Sequence, residues 1–444
     1  ADPTKDSYFT SNIGLVGMKH FIRINEKSYV NTVIGATYAA SNYDEDTIST
    51  SDEAARVLEN KVTQTRYSIN SSLNTKINSR WFIKAGIIEE IINLNLFYRS
   101  RQYTPNWLQI WDYNDFTSLV QAYVHSKYSI TSKMVLNAGI HTQYLTLNGS
   151  KSVEPRLGLK YQVNRKNTIS IGYGMHSQMQ PTDVYFYRTQ LQDGSYIRSN
   201  KDLDFTRSQH FVLGYDILPF QDWRIKTEVY YQLLSNVPVT IAPSGFSMLN
   251  NGASFSPNEE GYLQNTGTGT NYGAELTIEK FYSKGYYGLF TGTIYQSKYK
   301  GSDKIEHNTA FNGRYVYNIL VGKEFKFGAN KTNAFTMDLK FTKAGGRYYT
   351  PVDLAASQLA GKQVLQSDSV AFSQRNPDFF RMDFKIGVTV NSPKRKLAQS
   401  FFFDIQNLTN HKNVFAQRYN PVTNNINTAY QIGFFPNFVY RLQF

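Results

Sequence analysis

The chain of 444 residues contains no cysteine. That excludes a disulfide framework and any thiolate metal site. It also lacks a run of about 18 apolar residues, so no transmembrane helix is encoded. Mean hydropathy is −0.44. Only 41% of residues are hydrophobic, yet 33 Tyr and 30 Phe help bring the aromatic share to 15%. A soluble core with that aromatic load would carry more Leu and Val. A closed β-barrel is the other structure that spans lipid with every backbone group paired, and its alternating strands average to an unremarkable hydropathy.

The net charge is +13. A basic chain first suggests nucleic acid, but here Lys and Arg recur at alternating positions along the whole sequence and form no single stripe. A polar lumen and an anionic lipopolysaccharide surface account for that spread, and no nucleic-acid partner is expected. No leader peptide is visible, and Ala1-Asp2-Pro3 reads as an added sequence or the edge of a fragment.

What the sequence does have is a period of two. Trp223, Ile225, Val229, Tyr231 and Leu233 alternate with Arg224, Lys226, Glu228 and Gln232. Phe335, Met337, Leu339 and Phe341 alternate with Thr336, Asp338, Lys340 and Thr342. The stretches 156–163, 167–176 and 380–390 behave alike. One face suits lipid and the other a wet interior. The expected fold is all-β, a transmembrane antiparallel β-barrel of about 17 strands, each of roughly 10 to 14 residues.

Connections alternate as well. Short polar turns fall near 25–28, 78–80, 131–133, 164–167, 219–222, 283–285, 328–332 and 392–395. Longer segments lie at 41–61, 99–115, 178–205, 236–269, 300–312, 344–378 and 409–428, with a shorter one at 147–152. Short turns face the periplasm and long loops the outside, so the first strand, near Ser11–Arg23, runs inward. The stretch 236–269 reads as a long folded loop with Pro238, Pro243 and Pro257, and 352–365 has helical character. Either is placed to fold into the mouth.

Seven histidines are scattered without metal-ligand spacing, each read as a solvated lumen or loop residue, and no phosphate loop, Rossmann glycine pattern or nucleophile elbow occurs. No catalytic, cofactor or metal site is expected. The loops are more suggestive. Arg101, Tyr103, Trp107, Trp111 and Tyr113 lie in one, Tyr185, Tyr187 and Arg188 in a second, and Arg347, Tyr348 and Tyr349 in a third. Aromatics with Arg at an outer mouth stack on and hydrogen-bond a polar ligand. Loop self-packing and the outer aromatic girdle are the competing account.

Phe401-Phe402-Phe403-Asp404-Ile405-Gln406-Asn407-Leu408-Thr409-Asn410 resembles the D-x-x-N-L-x-N stretch of TonB-dependent outer-membrane receptors. As in members from Bacteroidetes, it is followed by Asn413-Val414-Phe415, Tyr419-Asn420-Pro421 and a Tyr430–Pro436 segment before a terminal strand. The stretches 154–161 and 171–174, and Tyr272-Gly273-Ala274-Glu275 as a strand entry, resemble the same group. The resemblance implies a 22-stranded, plugged importer of an extracellular ligand, driven by a periplasmic TonB-type energy transducer in a Gram-negative outer membrane. Residues 1–444 then correspond to the barrel alone, strands 6–22, with plug domain and leading strands absent. Tyr440, Leu442 and Phe444 match the signal read by the barrel-assembly machinery. A plugless diffusion pore of 16 or 18 strands, and a scaffold or adhesin barrel in a surface complex, are the alternatives.

Overall fold

The computed structural model describes residues 5–48, 53–102, 104–253, 259–328, 330–392 and 396–444. Tyr103, Pro257, Ala1-Asp2-Pro3 and most of the 392–395 turn lie outside these. The described chain forms one antiparallel sheet of eighteen strands, one of which is only the three-residue segment Glu306–Asn308. The seventeen long strands are β1 (Lys5–Arg23), β2 (Ser28–Ile48), β3 (Ala54–Lys76), β4 (Trp81–Ser100), β5 (Leu108–Ser129), β6 (Met134–Leu145), β7 (Lys151–Gln162), β8 (Asn167–Gln178) and β9 (Thr206–Ile217). They continue as β10 (Trp223–Thr240), β11 (Leu263–Ser283), β12 (Tyr286–Lys300), β13 (Tyr315–Phe327), β14 (Asn333–Ala344), β15 (Phe379–Ser392), β16 (Leu397–Gln406) and β17 (Phe435–Gln443). Each long strand pairs with its sequence neighbours, so the sheet is a meander. No helix is long and apolar enough to cross a membrane.

The period of two becomes an inside-out wall. In β10, Trp223, Val229, Tyr231 and Leu233 are exposed on the outer face. On the other face Arg224 Nε reaches Asp216 of β9 at 2.9 Å, and Gln232 Nε2 donates to Ser208 Oγ at 2.8 Å. Near the turn end, Trp81, Tyr128, Tyr161, Tyr215, Trp223 and Tyr286 all stand exposed on the outer face. This is the aromatic girdle that amphipathic rings form at a lipid–water boundary.

The tight turns are closed by short polar side chains. Asn25 Oδ1 accepts from Lys27 N at 2.9 Å, Asn78 Oδ1 from Arg80 N at 2.8 Å, and Asn164 Oδ1 from Lys166 N at 2.9 Å. These Asx turns hold the reversal without a longer loop. Gly285 sits at φ +78°, where a Cβ would meet Glu324 O at 2.5 Å.

Strands β1–β5 run 19 to 23 residues, longer than expected. Lipid needs only about 9–11 residues of a tilted strand. Beyond the lipid the outer face turns polar (Lys61, Asn93, Asn95 and Asn114 are exposed), while backbone pairing continues. The stretches 41–61 and 99–115 are therefore mostly paired strand, not loop, and Trp111 and Tyr113 stand on β5. Tyr272-Gly273-Ala274-Glu275 likewise lies within β11, not at its entry.

β1 pairs along its length with β2, and β17 with β16; among the described residues no pairing joins β1 to β17. Seventeen alternating strands put β1 and β17 in the same direction, so antiparallel pairing between them is excluded by parity.

The outer mouth and its docked loop

At the loop end, the lumen face of the wall changes character. The inward residues of β4 are Ile92, Leu94, Leu96 and Tyr98, all buried. They face Trp111 and Tyr113 of β5 across the ladder, Tyr98 opposite Trp111 and Leu96 opposite Tyr113. Leu58, Leu119 and Leu145 extend this apolar seat onto β3, β5 and β6. An apolar row facing a wet lumen is costly, at roughly 25 cal/mol per Å² left in water. The chain covers it with its own loop.

The loop 179–205 folds inward, and its one-turn helix α1 (Thr182–Tyr185) sets Val184, Tyr185 and Phe186 against the seat. Leu203, Phe205 and Met248 complete the cluster. Polar contacts fix the loop. Arg188 N donates to Ile110 O at 2.9 Å, and Arg188 Nη1 lies 2.9 Å from Asp112 Oδ2. Asn148 Nδ2 donates to Lys201 O at 3.0 Å and Leu203 O at 2.9 Å. Asn200, fully buried, donates to Glu260 O at 2.8 Å and accepts from Leu263 N at 3.0 Å, joining this loop to the next. Gln180 N donates to Tyr185 Oη at 3.0 Å. Burial pushes the Tyr185 phenol up to about 12 and holds the Asp183 and Glu260 carboxyls above their ordinary range.

Over the cluster lies a layer of rings and guanidiniums. Phe186 stacks on Tyr113 with centroids 3.7 Å apart and planes at 17°. The Arg198 guanidinium sits 5.0 Å from the Tyr113 ring, and that of Arg188 sits 4.3 Å from the Tyr196 ring. On the outward side of the β4–β5 hairpin, Trp107 is flanked by Arg99 at 4.4 Å and Arg101 at 4.8 Å. Such contacts contribute about 0.5–1 kcal/mol each when exposed and more when desolvated.

The expected site residues therefore divide. Arg101 and Trp107 pack on each other at the tip of the β4–β5 hairpin, whereas Tyr113, Tyr187 and Arg188 gather about the docked loop. Trp111 and Tyr185 belong to the same group but are buried, at 2% and 0% exposure, beneath the surface. Across the mouth, Arg347 lies over Phe311 at 5.8 Å, Tyr348 is buried under Arg314, and Tyr349 Oη donates to Gln417 Oε1 at 3.4 Å. The helical character at 352–365 is realised as α2 (Leu354–Ala360), N-capped by Asp353 Oδ1 accepting from Ala356 N at 2.9 Å. Arg198 and Asn200 carry no sequence signal beyond lying in the same loop.

Below the seat runs a polar belt that sequence spacing did not reveal. Glu154 of β7, 1% exposed, accepts from Ser152 Oγ at 2.8 Å, Arg156 Nη2 at 2.9 Å, Ser177 N at 3.0 Å and Gln143 Nε2. His141 Nδ1 lies 2.9 Å from the same carboxylate, and its Nε2 lies 3.0 Å from Gln121 Oε1. His307 similarly lies 2.8 Å from Asp303. These two histidines are thus paired with carboxylates, not solvated: ladder pairing sets His141 beside Glu154, and a local turn sets His307 against Asp303, four residues earlier. Among the described residues, no group of three or more His, Asp or Glu is arranged to hold a metal ion.

Comparison with solved structures shows the same architecture. The Fiu ferric-catecholate import receptor of E. coli K12 in its closed form superposes with a TM-score of 0.64 at 12% identity, over 92% of this chain and 61% of that one. For the ferric preacinetobactin receptor BauA of Acinetobacter baumannii the values are 0.64, 11%, 98% and 63%. For the siderophore receptor PiuA of the same organism they are 0.64, 12%, 98% and 65%. The chain thus spans a little over three-fifths of these receptors. No curated protein matches it. The sequence profile described as "TonB dependent receptor-like, beta-barrel" matches residues 7–408, and the chain belongs to the TonB-dependent receptor-like β-barrel family.

Proposed function

We propose that this chain forms most of the wall of an outer-membrane importer in a Gram-negative bacterium of Bacteroidetes type. It captures a ligand at the loop end and passes it inward through a lumen gated by a plug. The observation that carries this reading is the wide inside-out sheet whose loop end is gathered into a mouth of rings and guanidiniums over a docked loop. A diffusion pore needs an open lumen, and the inward fold of residues 179–205 disfavours that alternative. The role is transport, not catalysis.

The two unpaired edges support the truncated reading. Lipid does not tolerate a bare strand edge, and parity requires an odd number of strands between β17 and β1. Five would make 22, the size of the plugged barrels. Exposed apolar residues on the lumen side of β1, such as Ile13 and Leu15, suit contact with a plug. The partners are then lipid and lipopolysaccharide on the outer face, a TonB-type energy transducer in the periplasm, and the barrel-assembly machinery reading Tyr440, Leu442 and Phe444. Ferric chelates, which the structural neighbours' names specify, are the first ligand class to try; glycans and peptides follow. The test is uptake by a deletion strain carrying the full-length gene, with binding measured on the purified receptor. Saturable uptake that disappears when the energy transducer is deleted supports import. Linear uptake unaffected by that deletion supports the pore and rejects the proposal.

A further inference from the structure

The seat on β4 is filled by the chain itself, and the filling is imperfect. Val184, Tyr185 and Phe186 are almost completely buried against Ile92, Leu94 and Leu96. A permanent core pairs its buried polar groups. Here the indole Nε1 of Trp111, buried in the same cluster, has no hydrogen-bond partner among the described residues. Asp183, next to the buried triplet, is met by the backbone N–H groups of its own residue and of Val184, and by no cation among the described residues. The anchors of the loop lie mainly at its ends and rim: Gln180, Arg188, Asn200 and the segment 201–203. Inside the lumen, the polar contact of the triplet's flank is Thr182 Oγ1 to Gln64 Oε1 of β3 at 3.4 Å. A body held firmly at its rim, and at its tip by apolar contact with one long hydrogen bond, can withdraw the tip without unmaking the wall.

We propose that residues 182–186 form an autoinhibitory stopper, docked in the outer lumen when no ligand is present and withdrawn from the β4 seat when ligand is admitted. This rests on the import reading for its purpose, but the docked and withdrawn states are measurable without it. Withdrawal exposes Ile92, Leu94 and Leu96 to the lumen, an apolar surface that the resting state hides. The stacked Tyr113–Phe186 pair with Arg198 above it couples the tip to the rim, where a ligand first arrives.

Residues 1–444 contribute no native thiol, and any thiol elsewhere in the full-length receptor is first replaced by serine. Leu94→Cys in the full-length receptor reports exposure of the seat through its labelling rate with a membrane-impermeant maleimide in intact cells. Val184→Asp places a charge against the seat and is expected to speed labelling about tenfold or more. Val184→Ala gives a smaller increase should the aspartate variant fail to assemble. Thr182→Cys with Gln64→Cys, in a background that keeps Leu94, is expected to be joined by a short bis-methanethiosulfonate reagent and to lose ligand uptake until reductant is added. Labelling of Leu94→Cys at one rate, whether position 184 keeps its valine or carries Val184→Ala or Val184→Asp, overturns the stopper, as does undiminished uptake through the cross-linked receptor. Absence of uptake even in the reduced receptor, with labelling still responsive at position 184, rejects import while leaving the stopper standing.

Discussion

Two stretches of lumen wall behave oppositely. On β14 and β15 charged inward side chains are matched across the ladder: Asp338 stands opposite Lys385, Lys340 opposite Asp383, and Arg381 Nε donates to Asp383 Oδ1 at 2.6 Å. On β4 the inward side chains are Ile92, Leu94 and Leu96, and the wall there is covered by the loop 179–205. The first wall is complete without a cover. The second becomes stable only when another part of the chain lies on it. Where a barrel shows a run of apolar residues on its lumen face, that face marks a docking surface.

The largest effect expected from this contrast comes from the seat. Leu94→Ala removes buried methyl groups and should cost about 2–5 kcal/mol, whereas Lys340→Ala, at an exposed lumen residue, should change stability by less than about 0.5 kcal/mol. Thermal unfolding of both in detergent reads the difference, and equal shifts would break the comparison. Next is the belt below the seat. Glu154→Ala strands His141, Gln143, Ser152 and the Ser177 amide and should cost about 1–3 kcal/mol, while Glu154→Gln recovers part of it. Unfolding midpoints of the two variants decide, and identical values would reduce Glu154 to a space-filler.

A smaller effect is expected at the rim. Trp107→Ala removes the ring between Arg99 and Arg101 and should cost about 1 kcal/mol in the global fold, with greater proteolysis of the segment 101–107 as its marker. The smallest concerns pH. Burial raises the Asp183 carboxyl, so the docked loop favours the protonated form. Docking is therefore strongest at acid pH and weakens as pH rises through the raised value. Labelling of Leu94→Cys should quicken over that rise, and Asp183→Asn should flatten the profile.

Sequence alone disclosed the inside-out wall because lipid on one side and water on the other impose a period of two on every strand. It also placed Arg188 and Tyr113 at the loop end, since long loops at one end of a barrel must share its mouth, but it did not disclose the separate packing of Arg101 on Trp107. It placed the ends of β2–β5 too low. Above the lipid the outer face becomes polar, and alternation fades while backbone pairing persists. It treated Trp111 and Tyr185 as surface aromatics because composition cannot tell a ring that meets a ligand from one that supports the ring above it. The pairing of His141 with Glu154 needed the register of β6 against β7, which one strand's pattern does not contain.

A spin label stepped through 90–98 on β4 and 336–342 on β14 tests the central contrast most directly. The account predicts alternation on both strands, with water access at positions 338 and 340 but neither water nor lipid access at 92, 94 and 96. Water access at 92–96 equal to that at 338–340 in the ligand-free receptor would contradict it.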